Sequence, residues 1–336
     1  MKKLLLPLLL LLTVNAFSQY SQLQKGDTAK VEYPYKFPIM GNIAYEKGFD
    51  LPYPAGSMFN LFWARQDIDI SELQIGFSEG IIPDVAMTDI SEIVEFETIS
   101  ASALSVNVRP DLWVFPFLNV YGIFGKTWSQ TEVVLNKPFK FSTVAELNGQ
   151  TYGFGFTGAG GLGKYFFVMD GNWTWTDMTN FKEPVRSKVF STRIGRAFKV
   201  SKHPESNLAW WVGAMRIKMG GVTAGTIAVN EILPSEIGAN RDQFLEDYYA
   251  WYDALPPKDK LDPKVIVSKQ IVDNIISPAD GSGQIHYSLR KEPKQKWNML
   301  IGGQYQINKH HQLRAEAGFL GSRTSFLFSY NYRFGF

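Results

Sequence analysis

The chain has no cysteine in 336 residues, so disulfides and thiolate metal sites play no part in it. Its net charge is only +2, which argues against a nucleic-acid partner. Histidine is scarce, with four residues. After the first residues there is no apolar run of the roughly 18 or more residues that a spanning helix needs. The chain is therefore neither a disulfide-stapled secreted domain nor a helical membrane protein. What it has in quantity is aromatic residues, at 15%, and glycine, at 29 residues.

The first 19 residues, MKKLLLPLLLLLTVNAFSQ, are two lysines, an apolar run from Leu4 to Val14 and a small, polar end. That is the pattern of a secretory signal peptide, with cleavage expected near Ser18 or Gln19. No cysteine follows, so a lipoprotein anchor is not expected. Residues 20–56 mix prolines, glycines and aromatics without a period, and read as an irregular plug or lead-in.

From residue 57 to the end the dominant pattern has period two, the mark of strands. The clearest case is the C-terminal FLFSYNYRFGF, in which Phe326, Phe328, Tyr330, Tyr332, Phe334 and Phe336 occupy every second position. Similar segments begin near Ser57, Ser100, Phe117, Thr151, Tyr165, Leu208, Trp297 and Leu313. Each sets Trp, Phe, Tyr, Leu or Val on one face against Ser, Asn, Thr, Gln or charged residues on the other. No alternating helices are available to cover so much aromatic surface. A sheet in lipid must close to satisfy its edge groups. The expected fold is all-β: a transmembrane antiparallel β-barrel over 57–336, of about ten strands and between roughly eight and twelve.

Short turns are expected at 110–116, 160–164, 201–207 and 308–312, and longer loops at 67–93 and 129–147. Residues 223–293 form a partly helical insertion, expected on the extracellular side. Phe244, Tyr248, Trp251 and Leu255 recur at helical spacing, and Pro256–Pro257 stop that helix. Asp262 and Pro263 read as the cap and first turn of a second helix.

Two stretches, RPDLWVFPFLNVYGIFG from Arg109 and the segment from Trp297 to Phe334, resemble a family of uncharacterised Gram-negative outer-membrane β-barrel proteins of transporter type. The glycine-rich hairpin from Gly153 also resembles it. The resemblance implies a barrel in the cell outer membrane, and it brings no substrate and no catalytic residues. The alternating C-terminal stripe, with Tyr332, Phe334 and Phe336, looks like the signal read by the barrel-assembly machinery. Outer-membrane lipid and that machinery are the expected partners.

The alternation places Arg109, Asp170, Arg193, Arg216, Arg314, Glu316, Arg323 and Arg333 toward the lumen. Charges there must be paired or hydrated. They read either as a network that fills a narrow lumen or as a path for a small polar or anionic solute, since arginine outnumbers carboxylate. Glu316 is expected to meet Arg314 and Arg323. Residues 158–163 match G-x-G-x-x-G, but a strand pattern follows rather than the helix a dinucleotide site needs. His203, His310 and His311 fall on turns and His286 in the insertion, so no Ser–His or Asp–His pair and no metal site is indicated. No cofactor is expected. The function expected is a pore or transporter; the alternatives are a closed structural or surface-interaction barrel and, last, a barrel hydrolase.

Overall fold

A computed structural model describes the chain from residue 33, except 48, 50, 80–85, 138–140, 180, 182, 201–204, 221, 229–240 and 277–282. The signal-peptide segment lies outside the described residues. A six-residue helix, α1 (Gly41–Glu46), precedes the sheet. The strands follow in order: β1 (Ala55–Glu79), β2 (Thr88–Asp89), β3 (Glu95–Phe115), β4 (Leu118–Lys137), β5 (Phe141–Leu162), β6 (Tyr165–Met178), β7 (Val185–Lys199) and β8 (Asn207–Gly220). Between β8 and the last three strands come β9 (Val222–Ala228), α2 (Arg241–Ala254), a short 3-10 turn, α3 (Pro263–Ile276) and β10 (Gly283–Pro293). The chain ends with β11 (Trp297–Gln306), β12 (His311–Phe319) and β13 (Arg323–Phe334).

Closure is the defining feature. Strands β1, β3 to β8 and β11 to β13 pair antiparallel with their neighbours, and β13 returns to β1. The seam runs without interruption from Ala55↔Phe334 to Gln66↔Arg323. The result is a closed barrel of ten strands, the number read from the alternation. Its wall leaves no edge, as hydrocarbon requires. Exposed side chains on the outer face are Phe59, Leu61 and Trp63 on β1, Phe154 on β5, Ile194 on β7, and the stripe from Phe326 to Phe334 on β13. Their alternate neighbours, such as Asn60, Thr157, Ser191, Ser329 and Asn331, are buried. An apolar exterior around a polar, buried interior is the pattern of a barrel in lipid, and closed barrels of this kind belong to the outer membrane.

The end of the barrel with the tight turns is here called the lower end. Pro116–Phe117 and Gly163–Lys164 make two of those turns. Gly163 has φ +63°, a left-handed value that side chains with a Cβ disfavour. Residues 158–162 of the glycine-rich motif belong to β5, and β6, not a helix, follows. The stretch PDLWVFP is a strand down to Phe115 rather than a turn, which turns Asp111 and Trp113 into buried interior residues. Residues 33–54 pack under this end. Ile39 donates its amide to Val114 O, and the Phe37 ring lies 6.2 Å from that of Phe336.

At the upper end the expected loops are largely strand. Strands β1, β3, β4 and β5 have 25, 21, 20 and 22 residues, about twice the length that crosses a bilayer. Most of 67–93 and 129–147 is this excess. Above Asp67, β1 leaves β13 and pairs with β10 through a bulge between Ser71 and Gln74, and β10 pairs with β9. The segment between β8 and β11 is thus strand as well as helix. Its helices lie where their spacing indicated and pack on each other: Tyr248 Oη is 3.2 Å from Ser268 Oγ, and Tyr249 donates to Asp273 at 2.9 Å. Burial pushes the Tyr248 phenol up to about 12, so it stays neutral in that contact. Helix α3 also rests on β1 and β2, and Lys264 pairs with Glu92.

The outer face yields a direct test. Phe328 stands mid-strand on β13 and is 49% exposed. Phe328→Arg should cost about 2–4 kcal/mol of folding free energy in lipid vesicles, measured by reversible denaturant titration. A neutral result would mean that this face does not meet hydrocarbon.

Candidate functional site

The lumen is built from the inward half of each strand, and at mid-height four charges meet. Arg193 on β7 and Glu316 on β12 face each other across the interior. Arg193 Nε and Nη2 donate to the two Glu316 oxygens at 2.6 and 2.9 Å, a bidentate pair. Arg193 Nη1 reaches Asp170 on β6 and also donates to Ser191 Oγ at 2.9 Å. Thr157 donates to the other Asp170 oxygen at 2.5 Å. Glu316 further accepts from Trp211 Nε1 at 2.7 Å and from Arg314 Nη2 at 3.1 Å. Every carboxylate oxygen in this cluster therefore has a donor.

Arg109 on β3 completes the belt from the far side. Its guanidinium carbon lies 3.7 Å from the centre of the Tyr121 ring. That ring fits against the wall because residue 155 is glycine; a Cβ there would stand 2.5 Å from it. Tyr121 donates to Asn172 at 2.8 Å. Arg109 itself makes no side-chain hydrogen bond or ion pair among the described residues.

Two small chambers flank the belt. The lower has a volume of about 70 Å³ and the upper about 130 Å³. Met58, Arg109, Asp170, Arg193 and Arg314 line both, so the two chambers adjoin at this layer, here called the septum. Above it the lumen is mixed, with Phe62, Val189, Met215, Leu300 and Leu327 pointing inward beside Asn60, Asn172, Ser191 and Ser325. Leu300 is only 1% exposed. Below it Trp113, Ala159, Phe166, Val168, Ala209 and Trp211 form an apolar cluster, and Asn119, Gln304, Gln312 and Asn331 also line the lower chamber. At the lower end Arg333 pairs with Asp111 at 3.0 Å, Asn119 donates to Asp111 at 2.6 Å, and Arg333 also donates to Tyr53 O and Pro54 O.

Of the eight charges expected inside, the structure brings Asp170, Arg193, Arg314 and Glu316 into one network, sets Arg109 beside it and places Arg333 in a second pair below. Two expectations are corrected. Arg216 lies outside: β8 turns Ala209, Trp211 and Met215 inward, and Arg216 is exposed over the Trp297 ring at 5.9 Å. Three successive apolar residues at 210–212 made the parity of that strand ambiguous, and the carboxylate's need for the Trp211 N–H decides it. Arg323 is not a partner of Glu316. It is buried at 3% exposure near the upper end and donates to Asn298 at 3.0 Å, while Arg193 takes the place beside Glu316. The residues of the stripe, Tyr332, Phe334 and Phe336, all face outward at the lower end.

Sequence patterns gave no sign of Trp113, Trp211 and Asp111 as interior residues. They also gave no sign of a contact between Ser78 and His286, 2.9 Å apart on β1 and β10. His286 Nδ1 faces Thr226 Oγ1 at 3.3 Å, and Ser78 is 3% exposed, closed to a substrate carbonyl. No group of three or more metal-ligating side chains occurs among the described residues.

The chain is an outer-membrane β-barrel. No family model matches it, and no curated protein matches it. Solved structures do. The translocator domain of the autotransporter NalP from Neisseria meningitidis matches at 10% identity and a TM-score of 0.34, over 87% of this chain and 92% of that one. The beta domain of the Bordetella autotransporter Brka matches at 10% and 0.32, over 84% and 100%. An outer membrane channel from Pseudomonas putida F1 matches at 10% and 0.29, over 85% and 97%. These are distant similarities, and the assignment rests on the closed ladder and apolar exterior of this chain.

The network predicts an asymmetry between two charge removals. Glu316→Ala strands a buried guanidinium and should cost on the order of 3–5 kcal/mol in detergent unfolding. Arg216→Ala, on the outside, should change stability by less than about 1 kcal/mol. Equal effects would contradict the placement of these two residues.

Proposed function

We propose that this protein is a closed outer-membrane barrel that anchors and displays the structure at its upper end, and that it passes no solute in this state. One observation carries the reading: charges bonded to one another cross the lumen at mid-height, and the chambers on either side of them are small. A water path would need hydrated charges and a continuous polar wall. The lower chamber has a volume of only about 70 Å³.

Short turns mark the periplasmic end of bacterial outer-membrane barrels. On that basis the upper end is extracellular. It carries the β1–β10–β9 ribbon and the α2–α3 hairpin, where Leu261 is 75% exposed. At the lower end the outward stripe of Tyr332, Phe334 and Phe336 is the surface offered to the barrel-assembly machinery, and outer-membrane lipid covers the rest of the wall.

The pore reading is favoured by one fact, the excess of arginine in the lumen, which would select anions. Two measurements separate the readings. The refolded protein in a planar bilayer should show no steady conductance; a stable current with an anion-selective reversal potential would establish the pore instead. Lys258→Cys, between the helices, introduces a single thiol into a cysteine-free chain. An impermeant maleimide should label it on intact cells. Labelling only after the outer membrane is broken would place the helices inside.

A further inference from the structure

The interior charges do not balance. Arg109, Arg193, Arg314 and Arg333 face Asp111, Asp170 and Glu316, so the connected lower and middle lumen holds four cations and three anions. Arg333 is matched by Asp111. Arg193 and Arg314 are matched by Asp170 and Glu316. The surplus charge belongs to Arg109, whose only partner among the described residues is the face of Tyr121. An enclosed guanidinium needs a counter-charge or water.

We propose that the lower chamber binds one small monovalent anion, of halide to nitrate size, against Arg109. Three features support the site. Buried unused donors line it, namely Arg109 Nε, Arg314 Nε and the indole Nε1 of Trp113, which is 5% exposed, beside unused acceptor oxygens of Asp111, Asn119 and Asn331. The chamber's volume of about 70 Å³ admits an ion of this size. Of the carboxylates in its wall, both Asp170 oxygens are engaged by Arg193 and Thr157 and Asp111 Oδ1 by Arg333 and Asn119, which leaves Asp111 Oδ2 without a donor. A single negative charge makes the lower and middle lumen neutral without disturbing any pair already formed. Arg323, the other interior arginine short of partners, lines neither chamber.

The inference stands whether or not the barrel conducts, because it concerns a bound ion and not a flux. Bromide is the probe. The full mature protein in detergent is melted over a bromide series in which gluconate keeps the ionic strength constant, and crystals grown in bromide are measured for anomalous scattering. Wild type should show a saturable rise of the melting midpoint and an anomalous peak between Arg109, Arg314 and Trp113. Arg109→Gln should lose the saturable part, with apparent bromide affinity weakened at least about tenfold, since charge-assisted hydrogen bonds are lost. Arg109→Lys should retain part of it. If Arg109→Gln does not fold, the wild-type peak alone decides. An identical bromide response in wild type and Arg109→Gln, or a chamber without an anomalous peak, would show that Arg109 is served by hydration and Tyr121 alone, and the proposal would fail.

Discussion

The interior is organised around the side chain of Arg193. A guanidinium buried at the middle of a membrane protein has no bulk water to solvate it, and its charge must be met by carboxylates in a geometry that leaves few donors idle. Glu316 supplies a bidentate partner from the opposite wall and Asp170 a second from the neighbouring strand. These anions in turn need donors of their own. That need sets Thr157, Trp211 and Arg314 where they are. It also explains why β8 turns a tryptophan inward and leaves an arginine outside. The link from sequence to lumen is thus a chain of satisfied charges, and each step fixes the parity of another strand.

The wall allows this because it is narrow. Ten strands enclose an interior that side chains can fill. Charges form the middle layer, and apolar and polar side chains share the levels above and below. Leu300 and Trp211 are as buried as residues in a soluble core. The membrane barrel therefore has a protein core of the ordinary kind, with its polarity reversed at the outer surface. The strands β1, β3, β4 and β5, too long for the bilayer, carry the wall upward on one side, and β9 and β10 add to it. The ladder that closes the barrel in lipid also supports what stands above it.

Much of this could be read from the amino-acid sequence, because period two is strict wherever one face meets hydrocarbon. The outward stripes of β1, β5 and β13, the number of strands and the inward parity of Arg109, Asp170, Arg193, Arg314, Glu316, Arg323 and Arg333 follow from alternation, and both helices follow from helical spacing and their flanking prolines. The failures have local causes. On β8, Trp210, Trp211 and Val212 are all apolar, so alternation cannot say which way Trp211 points. In PDLWVFP the prolines suggest a turn, yet Pro110 sits within β3 with its side chain outward. The partner of Glu316 was beyond reach for another reason. Arg193 lies 123 residues away, on a strand that is not a neighbour of β12, and pairing across a lumen leaves no periodic trace.

The central claim is that the septum seals the lumen, and cysteine accessibility tests it directly. In otherwise cysteine-free protein, Gln312→Cys lies on the lower side of the septum and Ser325→Cys on the upper side. With the protein oriented in proteoliposomes, a small charged methanethiosulfonate is added to one side at a time. The account predicts that reagent from the lower side never modifies position 325, and that reagent from the upper side never modifies position 312. Modification of either thiol from the opposite side, at a rate independent of unfolding, would show a continuous water path and contradict the sealed barrel.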